Sequence, residues 1–259
     1  MENSHQDKVQ KKPIRLIAAA CNEMGIGKDG KLPWHLPSEF HYFVDTVTRV
    51  SRPGKMNLMV WGRLCWFSNP ETMFPMANIL HVVLSNTLNT VPDHAHFLCQ
   101  DFESAIRLAA EPPLADIIET IWIGGGTQVY KDALNHPWCD LVYLTDIMAD
   151  FDCDVFFPKF DRGLFKLQER FPDVPSGVQE ENGVKYKFQV FKKETVAIAM
   201  TTGPCRVMQT AADGKWKLLT YIITPASPHP FLPVLFIPLD TQVLSLFVVT
   251  PIVHITREP

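Results

Sequence analysis

The stretch IWIGGGTQVY, residues 121–130, decides how this chain is read. Its β-branched and aromatic start suits a buried strand, three glycines break that strand, and a helix follows from about Thr127. Glycines at such a junction let backbone N–H groups approach a diphosphate at the positive end of the helix. The same glycines also suit a tight strand-to-helix turn that binds nothing. Under both readings the stretch is a strand-to-helix unit, the building block of α/β domains.

Working outward, the apolar runs IRLIAAA, MNLMVW, ILHVVLS, IIETIWI and LVYLTDIM alternate with amphipathic stretches over residues 14–193. That alternation predicts an α/β domain with a mostly parallel sheet flanked by helices. The last part, VQEENGVKYKFQVFKK, places Asn182-Gly183 between two strand-like runs, a type I′ hairpin signal that predicts an antiparallel C-terminal edge. Helices are expected where Phe40, Phe43, Val44 and Val47 share one face, over Phe102–Ala110, and from Gly126 onward. Pro37 suits the first turn of the first of these, where its missing N–H is harmless.

The chain has 259 residues, 46% hydrophobic and 20% charged, enough for one domain or one domain with an appendage. A net charge of -4, with 24 scattered Lys and Arg residues, argues against a nucleic-acid partner. Six dispersed cysteines without a C-x-x-C pair argue against a zinc site or a disulfide scaffold; no metal is expected, and reduced thiols in the cytoplasm are the simplest reading. Residues 1–13 are polar, lack a secretory apolar core and read as a disordered tail. Glu2, Asp7 and the absence of an arginine-rich pattern leave mitochondrial import the weaker alternative. The domain is expected over residues 14–194.

Residues 195–259 carry eight prolines and few charges, and no clear helix or strand period survives in TPASPHPFLPVLFIPLDTQVLSLFVVTPIVHITREP, residues 224–259. The uncharged run 218–239 is long enough for a bilayer, yet its five prolines would break helix hydrogen bonds that lipid cannot replace. A poorly ordered apolar extension is expected rather than a membrane anchor.

GIGKDG, residues 25–30, matches G-x-G-x-x-G formally, but Pro33 and Pro37 forbid the helix that motif requires. It reads as a glycine-bearing loop, either a flap over a site or an ordinary surface loop. Just beyond it, LPWHLPSEF (residues 32–40) holds one carboxylate, Glu39, at the border of an apolar helix face. Spacing alone favours a solvated glutamate. Burial without a cation would instead raise its pKa and make it a proton source, or an acceptor for a cationic heterocycle.

Five pieces in this order, GIGKDGKLPWHLPSEFHYF, WGRLCWFSNPE, IWIGGGTQVY, LVYLTDIMADFDCDVFFP and VQEENGVKYKF, make residues 14–193 resemble the dihydrofolate reductase family. The resemblance implies an eight-stranded, mostly parallel sheet with an antiparallel C-terminal edge, and a role for each matching position. NADPH would reduce 7,8-dihydrofolate to 5,6,7,8-tetrahydrofolate by hydride transfer to C6 with protonation of N5. Glu39 would be the pterin acid, with Thr145 orienting its carboxylate. Leu32 and Trp34 would flank the pterin and a proton-relaying water. Ile17, Ala18, Phe40, Phe43 and the Gly124 carbonyl would line the substrate cavity, and Tyr130 would stand near both ligands. Ala19, Ile26 and Gly27 would meet the nicotinamide. Arg63, Leu64, Cys65, Ser85, Asn86 and the amides of Gly125, Gly126, Thr127, Gln128 and Val129 would hold the rest of the cofactor, with a cis Gly125-Gly126 peptide. The partner would be dihydrofolate or a related pterin, and the protein a monomer.

The sequence departs from the family at several of these places. Phe74 and Ile79 stand where two arginines are usual, the second of which clamps the substrate's glutamate carboxylate; Arg49 and Arg52 are the candidates to replace it. Asn86 stands where an arginine commonly meets the 2′-phosphate, leaving Arg63 for that role and implying a weaker preference for NADPH over NADH. Cys65 replaces a threonine, and Gly124 replaces a branched residue and is expected to loosen the backbone. Two alternatives follow: a reductase of pterins lacking the glutamate tail, and a catalytically weak folate- or nucleotide-binding protein.

Overall fold

The computed structural model describes residues 10–194 and, further on, the backbone of three strands at Pro204–Thr210, Trp216–Thr224 and His254–Thr256. Contacts divide the chain into two units, Met1–Thr195 and Val196–Pro259. In the first unit the elements run β1 Ile14–Ala20, β2 Gly25–Gly27, α1 Pro37–Thr48, β3 Met56–Gly62, α2 Arg63–Ser68, β4 Ile79–Leu84 and β5 Phe97–Cys99. They continue α3 Phe102–Ala110, β6 Ile118–Gly125, α4 Thr127–Asn135, β7 Cys139–Ile147, β8 Val155–Phe156, β9 Phe165–Leu167, β10 Gln179–Glu181 and β11 Val184–Lys193.

Eight strands form the main path of the sheet in the order β10-β11-β7-β1-β6-β3-β4-β5, and short β9 adds a ninth beside β11. From β7 to β5 every pairing is parallel, whereas β11 joins β7, β9 and β10 antiparallel. The hairpin between β10 and β11 turns at Asn182 and Gly183 with φ of 51° and 76°, the double positive φ of a type I′ turn.

Alternation along the strands builds two cores. Ile14, Leu16, Leu58, Val60, Ile121 and Ile123 face one side and pack with Phe102, Ala105, Ile106 and Ala109 of α3 and with Val129 and Ala133 of α4. Ile17, Met59, Trp61 and Trp122 face the other side, with Val47 of α1 and Trp66 of α2. Strands covered on both faces read as near-continuous apolar runs, which is why the five runs were visible in the sequence. The arrangement brings the carboxyl ends of β1, β3, β6 and β7 to one edge of the sheet, where ligands of open α/β sheets bind.

Two sequence expectations change. Residues 10–13 are stitched to the domain rather than forming part of a tail: Gln10 N–H donates to the Ala110 carbonyl at 3.2 Å, Ile121 N–H to the Pro13 carbonyl at 2.9 Å, and the buried Lys12 ammonium to the Ala115 carbonyl. The end of α3 and the turn after it supply carbonyls with no helical partner, and this segment satisfies them. Residues 1–9 of that expected tail lie outside the described residues.

In the second unit β12 Pro204–Thr210, β13 Trp216–Thr224 and β14 His254–Thr256 form an antiparallel sheet in that order, and β14 falls in the stretch where no strand period was expected. WKLLTYIIT is rich in β-branched and aromatic residues and lies wholly before Pro225, which suits a strand. The rest of 195–259, where poor order was expected, lies outside the described residues. Among the described residues no helix is long and apolar enough to cross a membrane.

Candidate active site

Helix α1 begins without a side-chain cap of its own: Leu36 precedes it and Pro37 occupies its first turn. The cap comes from the far end of the domain, where the Glu181 carboxylate of β10 accepts from Ser38 N–H at 3.0 Å and from Ser38 Oγ at 3.0 Å. This fixes the helix start, and with it Glu39. The Glu39 carboxyl is buried, 7% exposed, and accepts a 2.7 Å hydrogen bond from Thr145 Oγ1 of β7. No cation pairs with it among the described residues. Burial pushes its pKa up to about 7; the Thr145 hydrogen bond opposes the rise and the nearby Glu181 charge adds to it.

Around this acid the walls are apolar. Trp34 is buried edge-on to Phe151 at 5.5 Å, and its indole N–H has no acceptor among the described residues. Leu32 and Phe40 are exposed, and Phe40 stacks on Phe43 at 5.9 Å. Ile17, Ala18 and Ala19 lie side by side with Tyr143, Leu144 and Thr145 across the β1–β7 pairing. The Tyr130 hydroxyl donates to the Ile17 carbonyl at 2.9 Å, and burial first, then Cys65 and Glu39, raises its pKa well above the ordinary value.

The neighbouring glycine cradle is made by two strands that pair with each other. Trp61 of β3 lies opposite Gly125 of β6, so α2 and α4 start next to one another. The Gly125-Gly126 peptide is cis, and Gly125 has φ of 128°, where an added Cβ would meet Cys65 Sγ at 3.0 Å. α4 has no side-chain cap, so its first-turn amides at Thr127, Gln128 and Val129 are available to an anion. The side chains of that turn are engaged elsewhere: Thr127 Oγ1 donates to the Phe156 carbonyl at 2.8 Å, and Gln128 Nε2 to Asp132 at 2.7 Å. Cys65 Sγ leans on the Gly124 carbonyl at 3.7 Å, and burial pushes its thiol up to about 11. Ile26 and Gly27 lie on β2, held by β8 through the Gly27–Val155 pairing. Arg63 is half-buried at the start of α2, and Leu64 is exposed.

Three further places named in the sequence have these surroundings. Gly124 does not leave a loose backbone beside empty space: an added Cβ would lie 2.5 to 2.7 Å from the Trp61 ring carbons, so the indole fills the volume of the missing side chain. Ser85 Oγ accepts from the N–H groups of Thr87 and Leu88, both at 3.1 Å, so it caps a local turn, while Asn86 is exposed. At the two departures from arginine, Ile79 is buried and Phe74 stacks on His94 at 5.7 Å and packs on Trp66 at 4.6 Å. Arg49 is paired with Asp173 at 2.6 Å, and Arg52 lies near Glu119. Sequence reasoning missed Glu181, whose only signal was an acidic residue at a predicted hairpin, with no hint of which helix it would meet.

A buried acid beside a glycine cradle, at the carboxyl edge of a parallel sheet, lies where open α/β enzymes bind small-molecule ligands. A family model described as dihydrofolate reductase matches residues 13–193. The dihydrofolate reductase of Mus musculus is 44% identical over 184 residues, spanning 71% of this chain and 98% of that one. That of Drosophila melanogaster is 41% identical over 184 residues, spanning 70% and 98%. Among solved structures, Schistosoma mansoni dihydrofolate reductase matches with a TM-score of 0.64 at 31% identity, over 71% of this chain and 100% of that chain. The chain belongs to the dihydrofolate reductase family, and its first unit is the enzyme domain.

Proposed function

We propose that the chain reduces 7,8-dihydrofolate to 5,6,7,8-tetrahydrofolate with NADPH. The observation that carries this reading is the buried Glu39 carboxyl, hydrogen-bonded by Thr145 and paired with no cation among the described residues, in a chain of this family. The cradle suits a dinucleotide: Gly125 holds a φ of 128° that side chains rarely adopt, keeping the backbone bare, and the α4 amides and Arg63 offer donors to phosphate. When bound there, NADPH supplies the hydride.

The chain's own residues do the remainder. Glu39 holds the pterin by its 2-amino and N3 edge, with Thr145 fixing the carboxylate plane. Ionising Glu39 releases a proton near neutral pH, and the free indole N–H of Trp34 offers a donor to a water that can pass it to N5. Phe40, Phe43 and Leu32 cover the ring and exclude bulk water, and Tyr130 braces Ile17 from behind. Asn86 in place of a cation leaves Arg63 as the group for a 2′-phosphate. The free thiols suit a reducing compartment, and we read the protein as a cytoplasmic monomer.

The apolar pair Phe74 and Ile79 favours a second reading, in which the preferred substrate is a dihydropterin without a glutamate tail. Steady-state oxidation of NADPH with dihydrofolate and with a tail-less dihydropterin separates the two. A lower KM for dihydrofolate supports the first, equal or lower KM for the tail-less compound supports the second, and no turnover of either with cofactor still bound refutes both.

A further inference from the structure

Cys21 and Cys153, 132 residues apart in sequence, meet sulfur to sulfur at 3.6 Å. Cys21 ends the run out of β1 and is buried; Cys153 lies in the loop before β8 and is partly exposed. Gly25 keeps the space between them open, since a Cβ there would lie 2.6 Å from Cys153 Sγ and 2.9 Å from Cys21 Sγ. Its φ of -64° is open to any residue, so room for the two thiols, not backbone shape, excludes a side chain here. Main-chain hydrogen bonds already hold the two segments in register: Asn22 N–H to the Ala149 carbonyl at 3.2 Å, Asp154 N–H to Gly27 at 3.0 Å, and Phe157 N–H to Met24 at 2.8 Å. A bond requires the sulfurs to close from 3.6 Å to about 2.05 Å.

We infer that Cys21 and Cys153 form an oxidisable dithiol, which a small neutral or cationic disulfide converts to a disulfide bond that locks the β2 flap to the loop before β8. The exposed Cys153 thiolate attacks one sulfur of the reagent, forming a mixed disulfide and expelling one thiolate. Cys21 then attacks Cys153 Sγ, forming the intramolecular bond and expelling the second thiolate. The two protons lost by the cysteines leave on the two reagent thiols, so the protein is oxidised by two electrons and the reagent reduced by two. Asp152 and Asp154 flank Cys153 and Asp29 lies opposite, with Lys28 already paired to Asp152 at 3.1 Å, so an anionic disulfide is repelled. Burial, and then Cys21 itself, raises the Cys153 thiol, which slows the first attack and makes reagent charge matter. Because Ile26 and Gly27 lie on the locked flap, exchange of the bound cofactor slows; this consequence rests on the proposed NADPH site.

The test treats the full chain with cystamine, with 2-hydroxyethyl disulfide and with oxidised glutathione, then maps peptides without reduction. Expected are a mass loss of about 2 Da, a 21–153 linked peptide, reaction fastest with cystamine and slowest with glutathione, and reversal by dithiothreitol. Cys21→Ser should stop at a persistent mixed disulfide on Cys153, and Cys153→Ser should form no 21–153 link. A mixed disulfide that persists in the unaltered protein, or linkage to another cysteine instead, overturns the proposal. NADPH release from the linked form should slow at least threefold. If the link forms and release is unchanged, the lock is wrong; if the link forms and neither form binds NADPH, the cofactor site is wrong and the dithiol stands.

Discussion

Replacing Glu39 by glutamine should make the ligand-free protein more stable at alkaline pH while stripping it of activity. The amide keeps the shape of the carboxyl and an oxygen for the Thr145 hydroxyl, so the change removes charge more than packing. Burial raises the Glu39 pKa from 4.5 to about 7, so the fold prefers the protonated acid. The resulting penalty is absent below the unfolded pKa, grows as pH rises between the two values, and is constant above the folded one. At about 1.36 kcal/mol for each factor of ten, the full penalty is about 3 kcal/mol. Glutamine brings two N–H donors into the same pocket, which offsets about 1 kcal/mol of the gain. A net gain of about 2 kcal/mol is therefore expected at about pH 8.5, shrinking on acidification and reversing at about pH 5. Urea midpoints of both proteins across that range measure it. Parallel stability curves, or a variant less stable at pH 8.5, would refute the claim that Glu39 is an uncompensated buried acid.

The same acid predicts that kcat/KM falls as pH rises through about 7, because the productive complex needs the proton that ionised Glu39 has lost. Thr145→Val removes the hydrogen bond that favours the ionised form and should move that inflection upward by about one pH unit; an unmoved profile would detach Thr145 from the acid. Glu181→Gln removes a like charge and should move it down, while weakening the cap on α1 by about 1 kcal/mol; thermal melts and rate profiles read the two effects separately. Gly124→Val should destabilise by about 1 to 3 kcal/mol through collision with Trp61, and Trp61→Leu in the same chain should recover part of the loss. Additive losses in that double-mutant cycle would show that the two positions do not share a volume.

Local chemistry explains which features were legible. Pro37 marked the start of α1, Asn182-Gly183 marked the hairpin, and the glycines after Ile123 marked the strand-to-helix junction, because each depends on dihedral preferences of adjacent residues. The burial of Glu39 was not local. Helix periodicity put it on the border of the apolar face, whereas its environment is set by burial in the folded domain first, and then by Thr145 on β7 and the charge of Glu181 on β10, more than 100 residues away. Family motifs supplied that answer where spacing favoured solvent. The Gly124–Trp61 fit was hidden for a similar reason, since two residues 63 positions apart share one volume across paired strands.

Strand polarity separates what has changed in this chain from what has not. Ile79 is the first residue of β4 and pairs with Asn57 near the amino end of β3, whereas Leu84 and Gly62 pair at the carboxyl end where the cradle begins. About 16 Å of strand lies between those two ends. Thr145 likewise stands near the carboxyl end of β7. The buried isoleucine at the start of β4, where the family resemblance implies a cation, packs with Trp61, Met76 and Val83 and does not touch the Glu39–Thr145 hydrogen bond. Grip on a substrate's charged tail and protonation of its ring can change independently in this fold. Substitutions at Phe74 or Ile79 should accordingly appear in KM for dihydrofolate, and substitutions at Thr145 in the pH profile.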